Sequence, residues 1–331
     1  METVKKYLKR YFIDAMSAMA LGLFASLLIG TIFGTVGKYT GVEFFNEIKT
    51  YASAATGMAI GCAISAALKA HPLVVCTCAV VGSIGYGMSG AGPAGAFFAV
   101  IVASEIGMLV SKKTKVDILV TPTVALVSGF AVAKLLCPGI AFVMTALGNF
   151  INAATEMRPL IMGIIVSVVV GIILTLPISS AAICASIGIA GIAGGAAAVG
   201  CCCQMVGFAV ISFRENRWGG VVAQGLGTSM LQMGNICRKP QIWIAPTLAS
   251  AICGPLSTLI FKLECVGVSA GMGTCGLVGP IGIIDATSGG AMKWIGLVLL
   301  CVVLPAALSL AFNEIMRKLG WIETGDMKID A

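Results

Sequence analysis

The chain has 331 residues, 58% of them hydrophobic and 11% charged, with a net charge of +7 and a mean hydropathy of +1.02. An average soluble domain is about a quarter charged, so there is too little polar surface to clothe a water-soluble fold of this length. The positive charge does not point to nucleic acid: Lys112, Lys113 and Lys115, Arg214 and Arg217, Arg238 and Lys239, and Arg317 and Lys318 all sit beside apolar runs, the pattern of cytoplasmic loops between membrane spans.

The N-terminal METVKKYLKRYFI is basic and amphipathic and leads straight into an apolar run of full span length. A cleavable signal has a shorter apolar core and a small-residue cleavage site. Lys5, Lys6, Lys9 and Arg10 are expected to hold this end on the cytoplasmic side. A first helix is expected over about Asp14 to Gly37, then a short loop of mixed charge with Lys38, Glu43, Glu47 and Lys49. A second helix covers about Tyr51 to Lys69, and His71-Pro72 marks a turn. A third segment, Leu73 to about Ser89, ends in a Gly/Pro-rich break, and a fourth helix, about Pro93 to Val110, delivers the chain to the basic loop SKKTK.

A fifth helix is expected from about Val116 to Leu136. Gly139 to Arg158, apolar at first and then carrying Asn149, Asn152, Glu156 and Arg158, reads as either an interfacial amphipathic helix or a sixth crossing; the parity of the loops favours the crossing. A seventh helix runs from Pro159 to about Leu176. The next stretch, PISSAAICASIGIAGIAGGAAAVG from Pro177 to Gly200, is opened by proline and filled with Gly, Ala and Ser. Irregular backbone at membrane depth must be shielded by protein or line a wet cavity, so this stretch is expected to be a re-entrant hairpin. Helix eight, about Cys201 to Phe213, leads to a polar stretch with Gln224, Gln232 and Asn235, expected to lie along the cytoplasmic face. Helix nine covers about Gln241 to Phe261. A second small-residue stretch, Leu263 to Gly290, repeats the hairpin character, and helix ten runs from Ala291 to about Asn313. The fold class expected is all-α: a polytopic membrane protein of about ten transmembrane helices with two re-entrant hairpin-like segments, about 177–200 and about 263–290, and both termini cytoplasmic. TPTVALVSG at Thr121 and APTLASAICG at Ala245 form a faint internal echo, of interest because transporters often contain structural repeats.

Thirteen cysteines fall largely within apolar stretches. Cys76-Thr-Cys78 and the Cys201-Cys202-Cys203 run lack zinc spacing, so they read as small, soft packing residues. No metal, cofactor or catalytic residue is expected, and no Walker A motif is present. Polar side chains inside a bilayer usually face the bundle interior or a water-filled cavity. Near helix ends they snorkel, which accounts for Asp14, Lys69 and Glu105. The candidates for contact with a polar solute are Glu156, Arg158, Ser179, Ser180, Gln204, Thr274, Asp285, Thr287, Ser288 and the single histidine, His71. Carboxylates, amides and hydroxyls of this kind exchange hydrogen bonds with a polyhydroxylated solute. An ion channel would carry a filter motif or a ring of charge instead.

Three stretches carry a resemblance: GMSGAGPAGAFFAVIVASEIGMLVSKKTKVDILVTPTVALVSG (Gly87 to Gly129), RPLIMGIIVSVVVGIILTLPISSAA (Arg158 to Ala182) and GMGTCGLVGPIGIID (Gly271 to Asp285). With them the sequence resembles the membrane-embedded IIC component of bacterial phosphotransferase-system sugar permeases, and within it the stand-alone IIC-like group that includes PfoR-type regulators. The resemblance implies one integral-membrane IIC-like domain over 1–331 and a homodimer in the cytoplasmic membrane. It also implies a sugar or related small polar solute, phosphorylated from phosphoenolpyruvate through a relay. Family members often pair a histidine with a glutamate near the sugar, and that pair does not map clearly onto His71 and Asp285. The chain is expected to rely on separate IIA and IIB phosphocarrier subunits, since no such domain follows the last helix. Two other readings stand beside this one: a transport-derived sensor or regulator, and an ion-coupled carrier of a small organic acid.

Overall fold

The computed structural model describes Tyr7 and residues 9–329; Lys5 and Lys6, two of the four residues expected to anchor the N-terminal end, lie outside the described residues. All regular structure among the described residues is helical. Among the described residues, seven helices are long and apolar enough to cross a membrane: α1 (Arg10–Thr40), α4 (Pro72–Gly90), α5 (Gly92–Val110), α6 (Asp117–Thr155), α9 (Gly191–Ile211), α12 (Pro240–Phe261) and α14 (Ala291–Lys318). Shorter apolar helices are α3 (Thr56–Ala67), α7 (Pro159–Thr175) and Cys275–Ala286, the regular part of the last being α13 (Val278–Ala286). Four further short helices are α2 (Glu43–Ala54), α8 (Ser180–Ser186), α10 (Phe213–Val222) and α11 (Met233–Arg238). The chain divides into two compact units, Met1–Met144 and Thr145–Asp330.

In the first unit, glycines set the helix spacing. A Cβ added at Gly57 or Gly61 of α3 would run into the α4 backbone at Gly82 or Cys78; small residues at such crossings let membrane helices close on one another. Proline at N1, with no N–H to leave unbonded, starts α4 at Pro72 directly after His71. The α1 ladder ends at Gly41, whose left-handed conformation (φ 70°) closes the last turn. Glu105, read as a snorkelling residue, is paired with Arg10 at 2.8 Å.

Two boundaries differ from the sequence expectation. The mixed-charge loop after α1 is a helix, α2, whose exposed Phe44 and Tyr51 alternate with its charges. The fifth and sixth expected helices are one 39-residue helix, α6, which passes through Pro122 and Pro138 without a break. An interior proline removes one backbone hydrogen bond and crowds the preceding turn, and apolar sequence continues on both sides, so the helix survives it.

In the second unit, α9 is the central element. Its residues from Ala193 to Met205 are all buried, as expected of a helix that is small and apolar all round. The triplet Cys201, Cys202 and Cys203 lies within it at 0% exposure, in the packing role expected. The sequence places the start of helix eight at Cys201; the chain instead becomes helical at Gly191, directly after the break at Gly188 and Gly191, whose φ values are 63° and 61°.

Candidate functional site

The two small-residue stretches meet against α9. After Phe261 the chain leaves α12 extended: Cys265 donates its N–H to the Gly191 carbonyl at 3.2 Å, and Gly267 donates to the Ile189 carbonyl at 2.8 Å. This pairing supplies backbone partners where neither segment is helical, which burial away from water requires. It is also why glycine stands at 194 and 195: a Cβ at either would strike the carbonyl of Cys265 or Leu263.

The second stretch then turns back. Gly273 (φ 53°) lies against Cys201, midway along α9, and the Thr274 hydroxyl donates to Met205 Sδ at 3.6 Å. The return limb is α13. Its last turn is closed by Lys293, whose ammonium donates to the carbonyls of Ile284 (2.6 Å) and Thr287 (2.9 Å), placing a cation on the negative end of the helix. Thr287 closes the loop: its hydroxyl accepts from the Glu264 N–H at 2.9 Å and donates to the Glu264 carbonyl at 3.1 Å. Entry and exit are clasped together while the tip reaches the middle of α9, the geometry of a re-entrant hairpin.

The first stretch touches the same tip. Ser179 caps α8, accepting from the Ala182 N–H at 3.2 Å. Ser180, 4% exposed, donates to the Gly271 carbonyl at 2.7 Å. Gln204, fully buried, is tied at both ends of its amide: it donates to the Thr247 hydroxyl at 3.2 Å and accepts from the Trp243 indole N–H at 3.0 Å.

The ten sequence candidates therefore fall into four places. Ser179, Ser180, Gln204 and Thr274 surround the hairpin tip and the α9 residues beside it. Asp285, Thr287 and Ser288 lie at the hairpin base, where Asp285 and Ser288 are exposed. Glu156 and Arg158 are exposed on the turn between α6 and α7, near where Thr258 donates to the Pro159 carbonyl at 2.8 Å. His71 belongs to the first unit, with Nδ1 buried and without a hydrogen-bond partner.

Sequence reasoning missed Trp243, Thr247 and Lys293. Thr247 belongs to the APTLASAICG echo, and a buried indole N–H requires an acceptor, so a signal for the first two existed. Gln224, Gln232 and Asn235, the polar residues expected along the cytoplasmic face, are buried, at 0%, 0% and 7% exposure. Gln224 donates to the Ser212 hydroxyl at 2.8 Å and accepts from Gln232 at 3.0 Å, while Asn235 donates to the Gln232 carbonyl oxygen at 2.8 Å. Lys239 sits next to this network, 2.7 Å from Asp326. That hydrogen bond pushes the Lys239 ammonium above its ordinary value. Partial burial pushes the Asp326 carboxyl up, but the bonds from Lys239 and the Glu323 N–H outweigh it and hold the carboxyl low. A lowered acid loses its contribution as pH falls through its folded-state value, and a raised base loses its own as pH rises through its folded-state value. The contact is thus at full strength between the carboxylate and lysine ranges.

Searches against curated proteins and against solved structures returned no match. A family profile described as "Phosphotransferase system, EIIC" matches residues 13–329. With that match over nearly the whole chain, on an all-helical scaffold of apolar spans, the chain belongs to the EIIC family of the phosphotransferase system.

Proposed function

We propose that this membrane protein is the permease subunit of a phosphoenolpyruvate-dependent phosphotransferase system, binding a sugar or related small polar solute at the tip of its second hairpin and carrying it across. Residues 1–331 act as one integral IIC-like domain, as a homodimer in the bacterial cytoplasmic membrane with both termini inside, and separate IIA and IIB subunits supply phosphate. The observation that supports the solute site is the Thr287–Glu264 clasp at one end of the hairpin with Gly273 and Thr274 against α9 at the other. Transporters place solutes near the membrane midplane where interrupted segments meet.

The hydroxyls at the tip differ in how easily they can be redirected. Ser180 and Gln204 are held by oxygen and nitrogen partners, whereas Thr274 meets only a thioether sulfur. A sulfur acceptor is weak, so Thr274 is the hydroxyl that turns to a solute at least cost. Asp285 and Ser288 then line the approach, with Thr287 fixing the hairpin base and Ser179 fixing α8. Glu156, Arg158 and His71 belong to the wider proposed set and have no place at the tip.

A thermal-shift screen of sugars, polyols and organic acids identifies the solute, because a ligand bound only by the native state raises the melting temperature. With the sugar so found, Thr274→Val and Asp285→Asn should each weaken binding by roughly tenfold, the scale of one lost hydrogen bond to a polar or charged group. Unchanged affinity in both variants would sink the hairpin site. Uptake into liposomes with unmodified product, driven by protons or sodium, would replace this reading with the organic-acid carrier.

A further inference from the structure

A second polar site lies at the C-terminal end of α9, built from Ser212 to Lys239 and residues 321–329. α14 stops at Lys318, and Gly320 (φ 72°) turns the chain out of the helix. The segment beyond it, Trp321 to Ile329, contains turns and no helix and adds no span to the bundle. Its backbone is read by side-chain amides. Asn216 donates to the Met327 carbonyl at 2.8 Å and accepts from the Ile329 N–H at 2.8 Å, gripping the main chain on both sides of Lys328. Gln232 donates to the same Met327 carbonyl at 3.0 Å, and Asn235 donates to the Lys328 carbonyl at 2.9 Å. Glu215 accepts from the Gly325 N–H at 3.3 Å.

Two apolar side chains of the segment are buried, Ile322 at 3% and Met327 at 0% exposure, while Glu323, Thr324 and Lys328 are exposed. The receiving side is pre-organised. Ser212, Gln224, Gln232 and Asn235 bond to one another, which orients the remaining donors toward the peptide. Without a main chain in place those donors would be buried and unpaired, a costly state. The segment itself is folded by turn bonds, Asp326 N–H to the Glu323 carbonyl at 3.4 Å and Lys328 N–H to the Gly325 carbonyl at 3.2 Å, and its outward-facing main-chain groups meet the fixed side-chain amides.

We infer that Phe213–Lys239 is a binding site for a short peptide folded into turns, recognising its main-chain amides and carbonyls and a buried methionine-sized side chain, and that Trp321–Ile329 occupies it in cis. Occupancy also has a reach. Gln232 bonds Gln224, and Ala223–Gly227 packs against Cys275–Leu277 of the second hairpin. The docked peptide therefore seats the segment that lies under the hairpin tip.

The test uses a fluorescein-labelled synthetic peptide of sequence WIETGDMKI and the detergent-solubilised protein, with no solute present, so its outcome is independent of the solute reading. The chain with residues 321–331 deleted should bind the peptide saturably. The full chain, its site filled, should bind at least tenfold more weakly, and the peptide carrying Met327→Asp should bind neither. Equal binding by full and shortened chains, or no binding by a shortened chain that keeps its helical circular dichroism, overturns the proposal. If the shortened chain fails to fold, hydrogen exchange of the full chain decides. Asn216→Ala should speed exchange at residues 325–329 by about tenfold, the worth of one or two net hydrogen bonds, and also speed it at residues 223–232, with 191–211 unchanged. Exchange at 325–329 that does not respond to Asn216→Ala overturns it as well.

Discussion

Glu215 and Arg317 are 2.8 Å apart, with side chains 3% and 9% exposed respectively, and they join α10 to the last turn of α14. Two charges removed from water in this way need each other: breaking one partner of a buried pair costs about 3–5 kcal/mol, while replacing both with apolar groups of similar size is often neutral. Glu215→Gln should therefore lower stability by about that amount, and Glu215→Leu combined with Arg317→Met should recover more than half of it. Thermal unfolding in detergent measures both; a double variant no better than the single one would show that the pair is net stabilising in itself. At this scale the sequence was legible only in part. Ser180 and Gln204 stood out because a polar residue in an apolar stretch must find a partner. Gln232 and Asn235 read only as part of a polar stretch along one face because their partners, the carbonyls of Met327 and Lys328, come from more than 90 positions further along the chain, and no local pattern carries that information.

Among the elements, the second hairpin was the most readable. Its glycines, proline and hydroxyls announce a backbone that leaves the helix at depth, and the structure supplies the reason: Gly273 and Gly276 take φ values of 53° and 51°, a region that side chains disfavour. What composition could not show is how the hairpin is closed. That depends on one hydroxyl, Thr287, bonding both backbone groups of Glu264. Thr287→Val keeps the shape and removes both bonds, each worth about 1 kcal/mol net, at the part-buried Glu264 N–H and C=O. Hydrogen exchange across residues 263–287 should rise by at least tenfold while α9 stays protected. Protection that is unchanged would mean that packing alone shuts the hairpin. The misreading of α6 as two helices has a different origin. The expected boundary falls between Leu136 and Gly139, around Pro138, and an interior proline strains a helix without necessarily ending it.

Over the whole molecule, the family match and the apolar spans agree on a membrane protein of the EIIC type, and the second unit adds a polarity. Arg214, Lys239 and Arg317 converge at the peptide site, each already paired with an acid, Glu314, Asp326 and Glu215. In the proposed topology, with both termini inside, this end faces the cytoplasm, in keeping with the positive-inside rule. A cysteine placed at the exposed Thr324 should thus react with a membrane-impermeant maleimide in inside-out vesicles and not in intact cells, above the background of the native thiols. Labelling in intact cells would invert the topology. The run of basic residues was visible in the sequence; its gathering into one cap was not, because the pairs join segments about 90 to 100 residues apart.

The length of α6 carries a last consequence. At 39 residues it is about 58 Å long at 1.5 Å per residue, nearly twice the roughly 30 Å of a bilayer's hydrocarbon core. From Asp117 to Lys134, one uncharged stretch bounded by a charge at each end, it covers about 25 Å, close to a single crossing. The remainder, with Leu135, Phe142 and Phe150 exposed, is further apolar surface beyond the length of one upright crossing. Thicker and thinner bilayers accommodate a long apolar helix by tilt, kinking or local thickening, at fractions of a kcal/mol per ångström of mismatch.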